Sequence, residues 1–391
     1  MKSTSCLFWV VWWVSVLYGC AISQAAVFSV ERDGTGDFSI IQDAVDAAAS
    51  GDTIHIGPGR YDEGQILDTP GWAGFVRVVA EQNELTIIGS GSDQTIIGPE
   101  GPYQYSLGES MGLIASPFLG CEKVNIIGIG FEGMRAGVSG SPASAITLAQ
   151  CRFSKNEKGI GVTNGLSLEV DNCSFSQVAE DGKCILTIGI ENVDVRGSRF
   201  ELAGHQNNLQ IGALFQSANS VEVSGCQFVD GLYGLKIVGT MTGTVSGCTF
   251  YNQERRSVSF EHSNVLLSDS FLEDQNEAIF LVGYGSRYQI RNTSICDVTR
   301  GSIILEPYLN VQVNKCILGK GEVFTIIETV DKIQVDPNGL DLRYNDWGTT
   351  EEDSIAAWIY APSYDVEFVP FVGGPVSTQE MSLDEVKALY R

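Results

Sequence analysis

Seven residues after successive members of a recurring Cys/Ser motif stand Lys158, Glu180, His205, Tyr233, Arg255 and Glu277. If the motif repeats once per structural unit, these six side chains fall in one column with neighbours about 5 Å apart. A carboxylate, an imidazole, a phenol and a guanidinium in one row supply an acid, a base and an anion clamp. His205, Tyr233 and Arg255 are the candidate catalytic residues, with Lys158, Glu180 and Glu277 as flanking substrate-binding residues. The other reading is a solvated turn column, because turns carry polar residues as a rule. Units of unequal length leave the register open.

A second row, Glu261, Glu306 and Glu328, stands near strand ends. It could hold calcium if the carboxylates converge, and is otherwise scattered acidic surface. His55, His205 and His262 are too dispersed for a histidine metal site, and no CxxC pair marks zinc. No metal ligands are therefore assigned, and calcium is the one cofactor considered.

The elements that must position these rows come from the motif itself. Cysteine precedes phenylalanine by two at Cys151/Phe153, Cys173/Phe175, Cys226/Phe228 and Cys248/Phe250, and Ser198/Phe200 has the same setting. Ser270, Ser294 and Cys316 continue the series. The steps are 22, 25, 28, 22, 22, 24 and 22 residues. A period of that size with short apolar strands inside each unit signals a solenoid of stacked coils. From Leu85 to about Val335 the chain alternates strand and turn, which gives roughly ten to twelve coils. The stretch 99–122 reads as a loop thrown out from the stack. Eight cysteines lie beyond residue 25. At one register of successive coils they point inward as small hydrophobes, in parallel, which suits free thiols better than disulfides.

Residues 27–64 form a lead-in. Ile41, Ala44, Val45 and Ala48 make one apolar helical face, and Thr53-Ile54-His55-Ile56 alternates as a strand. A stack of coils exposes strand edges at its ends, so a covering helix is expected there. Asp33-Gly34-x-Gly36-Asp37-Phe38-x-x-Ile41-Gln42-x-Ala44-Val45, with Gly51-Asp52-Thr53-Ile54 and Pro58-Gly59-x-Tyr61, resembles the start of pectin-lyase-like right-handed parallel β-helix proteins, pectin methylesterases included. Asn345 and Trp347-Gly348-Thr349 resemble the closing segment of bacterial right-handed β-helix repeat proteins. The resemblance implies an all-β fold: a single right-handed parallel β-helix over 27–372, with an N-terminal capping helix and a short C-terminal one. Thr350 with Asp353 reads as a capping box opening the latter. Residues 373–391 read as a linker and a short helical tail.

The resemblance does not carry the family's catalytic motifs with it. A pectin methylesterase would show Gln-Asp beside a Gly-x-Val-Asp-Phe-Ile-Phe-Gly-like strand. The nearest string, Phe228 to Gly234, lacks the second aspartate and the Arg-Trp partner. Of a polygalacturonase's motifs only the fragment Gly204-His205-Gln206 is present, and no aspartate cluster with a positioned arginine base marks a calcium-dependent pectate lyase.

The chain has 391 residues and a formal net charge of −24, which disfavours nucleic acid and anionic membrane surfaces as partners. Residues 1–25 read as a signal peptide: Lys2, an apolar run from Cys6 to Leu17, and a Ser23-Gln24-Ala25 cleavage pattern. Lipoprotein anchoring at Cys20 is a minor alternative, and no later segment reads as a membrane span. The expectation is a secreted or surface-associated protein that binds a polysaccharide or cell-surface glycan without demonstrable catalysis. Two alternatives stand beside it: a polysaccharide lyase or glycoside hydrolase acting on a uronate-containing polymer, and a structural spacer or adhesin.

Overall fold

The computed structural model describes residues 25–69, 72–104, 110–176, 179, 181–202, 210–305, 309–320, 326–328, 338–360, 364–369 and 371–372. Glu180, His205, Glu306, Cys20, most of the segment 1–25, and the tail 373–391 lie outside them.

Each coil contributes three strands. A five-residue strand such as Ser167–Asp171 lies in a 14-stranded parallel sheet. A three-residue strand such as Ser174–Ser176 and a six-residue strand such as Lys183–Ile188 lie in a second, 22-stranded sheet. Further along, the last two fuse into Phe271–Val282 and Ser294–Leu305. The pairing is parallel except where Gln65–Thr69 folds back on Trp72–Ala80. Of the 14 strands in the first sheet, ten start between Leu85 and Val335. The lead-in and the closing segment add two each.

The corners are made by single residues in the left-handed region. Between the five- and three-residue strands the corner is Asn172, Gly197, Gly225, Gly247, Asp269 and Asn292 on successive coils, with φ between 48° and 61°. Glycine, asparagine and aspartate tolerate that conformation best, so corner chemistry and strand alternation together dictate the coil.

Inside, Phe131, Phe153, Phe175, Phe200, Phe228 and Phe250 form a stack with ring centroids 4.5–5.2 Å apart and planes within 10°. Each buried ring contributes about 1.5–3 kcal/mol of apolar burial, and each pair roughly 0.5–1.5 kcal/mol more. The stack imposes a constraint on the long strands: their second residue must be small. It is Gly159, Cys184, Gly212, Gly234, Ser257 and Ala278. A Cβ on Gly159, Gly212 or Gly234 would come within 2.8 Å of a phenylalanine ring.

The Cys/Ser ladder is an internal column, with one change of member. Thr293, buried, stands between Ser270 and Cys316; Ser294 is one residue later, on the outward side. All eight described cysteines are buried and free.

The stretch 99–122 is not a thrown-out loop. Ser110–Ala115 is a fully buried strand pairing with Trp72–Ala80 and Ala136–Gly140, and Tyr103 donates its backbone N–H to the Lys155 carbonyl. Met111, Leu113 and Ile114 outweigh the glycine and serine around them, because both faces of this strand are covered.

The ends are closed as the apolar patterns require. Helix Ile41–Ala47 buries Ile41, Ala44 and Val45. Gln42 clamps an edge strand, accepting from Val79 N at 2.8 Å and donating to Val79 O at 3.2 Å. At the far end Asn345 takes the next ladder place. It accepts from Cys316 N at 2.8 Å and donates to the Val313 and Leu342 carbonyls at 2.6 Å each. The C-terminal helix is Glu352–Trp358. Its capping residue is Glu351, whose N–H donates to Thr349 Oγ1, so the expected Thr350–Asp353 box does not form.

Candidate functional site

In strands such as Lys158–Thr163, Lys183–Ile188, Ile211–Gln216 and Tyr233–Val238 the first, fourth and sixth residues are the ones not buried, and strand register fixes the true column. Lys158, Lys183, Ile211, Tyr233, Arg256 and Glu277 are Cα partners on successive coils. Three members of the expected row, Lys158, Tyr233 and Glu277, are therefore in one column. The extra residues of the 25- and 28-residue coils lie just before the long strand, which places Lys183 and Ile211 where Glu180 and His205 were expected. Arg255 is one residue out of register. The turn before Arg256 holds four residues, Asn252 to Arg255, whereas the turn before Tyr233 holds three, Asp230 to Leu232.

Arg255 nevertheless meets Tyr233. Its guanidinium carbon is 5.5 Å from the Tyr233 ring centroid, that of Arg256 is at 6.0 Å, and the Lys236 ammonium is also at 6.0 Å. Three cations thus surround one phenol ring, each within cation–π range. Two are held by carboxylates. Arg256 Nε is 2.8 Å from Glu277 Oε2, and its guanidinium stacks 3.5 Å from the Phe280 centroid. Lys236 Nζ is 2.7 Å from Glu261 Oε1, which also accepts from Ser259 Oγ at 3.0 Å. Arg255 is exposed and, among the described residues, has no carboxylate within ion-pair distance.

Towards the N-terminal coils the column is cationic. Burial lowers the Lys183 pKa, and the charge of Lys158 on the adjacent coil lowers it further. The strip therefore runs from two lysines, over Ile211, to an aromatic centre ringed by arginine, lysine and glutamate. It offers donors and acceptors on rigid strands, renewed about every 4.8 Å along the stack.

Glu261 and Glu328 do not share a row. The strand register aligns Glu328 with Leu305, Leu281 and Phe260, one position off Glu261 and three coils away. Glu261 is instead engaged by Lys236 and Ser259. His55 is exposed on its strand, and His262 is a left-handed corner residue with φ of 50°. A separate group, Glu273, Cys296 and Asp297, brings its possible ligand atoms within 4.8 Å of one another.

With this geometry in view, residues 120–295 match the family described as the right handed beta helix region. The chain is a right-handed parallel β-helix. Solved structures similar to this β-helix include the catalytic domain of Agl-KA, at 14% identity and TM-score 0.48 over 86% of this chain and 64% of that one. The catalytic unit of an alpha-1,3-glucanase from Streptomyces thermodiastaticus matches at 11% identity and TM-score 0.38, over 74% and 62%. The A-module of a mannuronan C-5 epimerase from Azotobacter vinelandii matches at 14% identity and TM-score 0.37, over 87% and 94%. The β-helix thus spans a little under two thirds of the first two. No curated protein matches it.

Lys183, Lys236, Arg256, Phe280 and Glu261 are the members of the face that counting from the ladder misses. The signal that finds them is the small second residue. Aligning Lys158-Gly159-Ile160, Lys183-Cys184-Ile185, Ile211-Gly212-Ala213, Tyr233-Gly234-Leu235 and Arg256-Ser257-Val258 on that residue recovers the register without any coil length.

Proposed function

We propose that this β-helix binds carbohydrate through the outer face of its long strands, centred on Tyr233. The observation that carries the reading is the ring of Lys236, Arg255 and Arg256 about an outward phenol, with Glu261 and Glu277 beside them. An aromatic surface bordered by a few fixed polar groups is how sugars are gripped, and groups mounted on strands hold their geometry better than groups on loops. Five basic residues, Lys158, Lys183, Lys236, Arg255 and Arg256, share one strip of a chain with 24 lysines and arginines against 48 acidic residues. Export through residues 1–25 would put this face outside the cell, where polysaccharide is encountered.

The test is binding of the chain lacking residues 1–25 to an array of neutral and uronate-bearing glycans, beside Tyr233→Ala. Binding that the substitution weakens at least tenfold, about 1.4 kcal/mol, supports the reading; a blank array overturns it. Catalysis on the same face is the second reading, since Tyr233 and Arg255 of the expected row lie within 5.5 Å of each other. Release of reducing or unsaturated ends from a polyuronate panel, with and without calcium, would turn the binding reading into a lyase or hydrolase one.

A further inference from the structure

The outward column of the three-residue strands is a separate column from the one through Tyr233. It runs Arg152, Ser174, Arg199, Gln227, Thr249, Phe271, Ser294, Ile317. Five polar residues face water, as an outward column should. Phe271 and Ile317, 37% and 43% exposed, then break the pattern. The neighbouring corner column carries side chains at these coils, as it does earlier at Gln150 and Asn172. Gly197, Gly225 and Gly247 give way to Asp269, Asn292 and Lys315, still left-handed at φ 52°, 48° and 57°. Asparagine and aspartate tolerate that conformation through local hydrogen bonding, whereas lysine is disfavoured there by roughly 1–2 kcal/mol. Of the three, Lys315 is therefore the one present against conformational preference.

Together the residues of the two columns at these coils line an open groove on the surface. Phe271 and Ile317 are its apolar lining; Asp269, Asn292, Ser294 and Lys315, with the buried ladder residues Ser270 and Thr293 at its floor, are its polar lining, and its volume is about 450 Å³. Asn292 Nδ2 donates to Asp269 Oδ1 at 3.2 Å, so the rim on that side is held in place. The size lies in the range of small-ligand sites, roughly 300–1,000 Å³. An apolar ligand would leave the carboxylate, amide and ammonium unpaired on one side. A strongly charged ligand would meet Asp269 and Lys315 with opposite signs.

We propose that this groove is a second ligand site, which takes a pyranose unit of a neutral glycan with its ring against Phe271 and its hydroxyls towards Asp269, Asn292 and Lys315. The groove's lining shares no residue with the Tyr233 face, and the experiment keeps the two apart. Titration calorimetry with cellohexaose, xylohexaose and mannohexaose is run on the chain lacking residues 1–25, on Tyr233→Ala, and on Tyr233→Ala combined with Phe271→Ala or Phe271→Trp. The expected result is binding to at least one probe that persists in Tyr233→Ala. Phe271→Ala then weakens it at least tenfold, while Phe271→Trp retains it, because either aromatic ring provides the platform. Phe271 is partly exposed, so the variants should keep the thermal midpoint of their parent, checked by circular dichroism. Residual binding that is indifferent to Phe271→Ala overturns the proposal and leaves the Tyr233 face standing. Binding that Tyr233→Ala abolishes, or binding by none of the three probes, also overturns it.

Discussion

At Cys151, Ser198, Ser270 and Thr293 the side chain donates to the carbonyl two residues earlier, at 3.4, 2.9, 2.8 and 2.9 Å. The hydroxyls also accept from the preceding coil: Cys173 N donates to Ser198 Oγ at 3.1 Å and Cys248 N to Ser270 Oγ at 3.2 Å. Thiol and hydroxyl are interchangeable here because each satisfies a buried backbone group at similar size. Thr293 does the same, and a search restricted to Cys and Ser passes over it for that reason. Burial pushes the Cys121 thiol up to about 11 and the Cys316 thiol up to about 12, and raises Cys184 as well. These raised values favour the folded state while the thiols stay protonated. Their contribution is complete below the unfolded thiol pKa of about 8.5 and drains as pH rises from there through about 11–12. The urea midpoint should therefore fall between pH 8 and pH 10.5, and Cys316→Ser should lessen that fall. A disulfide reagent should titrate the eight described cysteines after unfolding and scarcely any in the native protein. Fewer than about six thiols on unfolding would contradict the ladder.

The phenylalanine stack and the small second residue of each long strand are one packing device seen from two sides. Gly234→Leu should cost at least about 1–3 kcal/mol, because the new side chain is driven into Phe250. Phe200→Ala should cost about 3–5 kcal/mol through the cavity it leaves. Urea unfolding measures both, and a Gly234→Leu protein as stable as its parent would refute the packing constraint. This device also explains what the sequence makes legible. The coil was readable because its period is carried by residues that stack on copies of themselves, Phe on Phe and ladder residue on ladder residue. The outward rows were not, because nothing inside constrains where an insertion sits. Lys158, Tyr233 and Glu277 share the column because their long-strand segments start seven residues past the ladder position, whereas extra residues before the long strand displace the row onto Lys183 and Ile211. Arg255 missed its column by one residue because the Gln253 turn is longer, and that turn is itself fixed by Gln253 donating to the Phe228 and Tyr251 carbonyls at 3.0 and 2.8 Å.

Across the whole molecule, strands pair only with those of adjacent coils, and a few contacts such as Tyr103–Lys155, Arg152–Asp93 and Arg60–Glu132 reach one coil further, so stability is built locally while charge acts at longer range. A net charge of −24 makes the compact state repel itself. Raising sodium chloride from 10 to 200 mM shortens the screening length from about 30 Å to below 10 Å and should raise the thermal midpoint; a midpoint that falls would mean that the ion pairs on the outer faces outweigh the net charge. Against that acidic background the strip from Lys158 to Arg256 stands out as a local reversal, and it is centred on an aromatic ring. The reading of this face as a carbohydrate platform is tested most directly by affinity measured on the glycan that binds best, for the parent chain and for Tyr233→Ala and Arg255→Ala. Each substitution should weaken binding at least tenfold with the thermal midpoint unchanged. Equal affinity in all three proteins would contradict it.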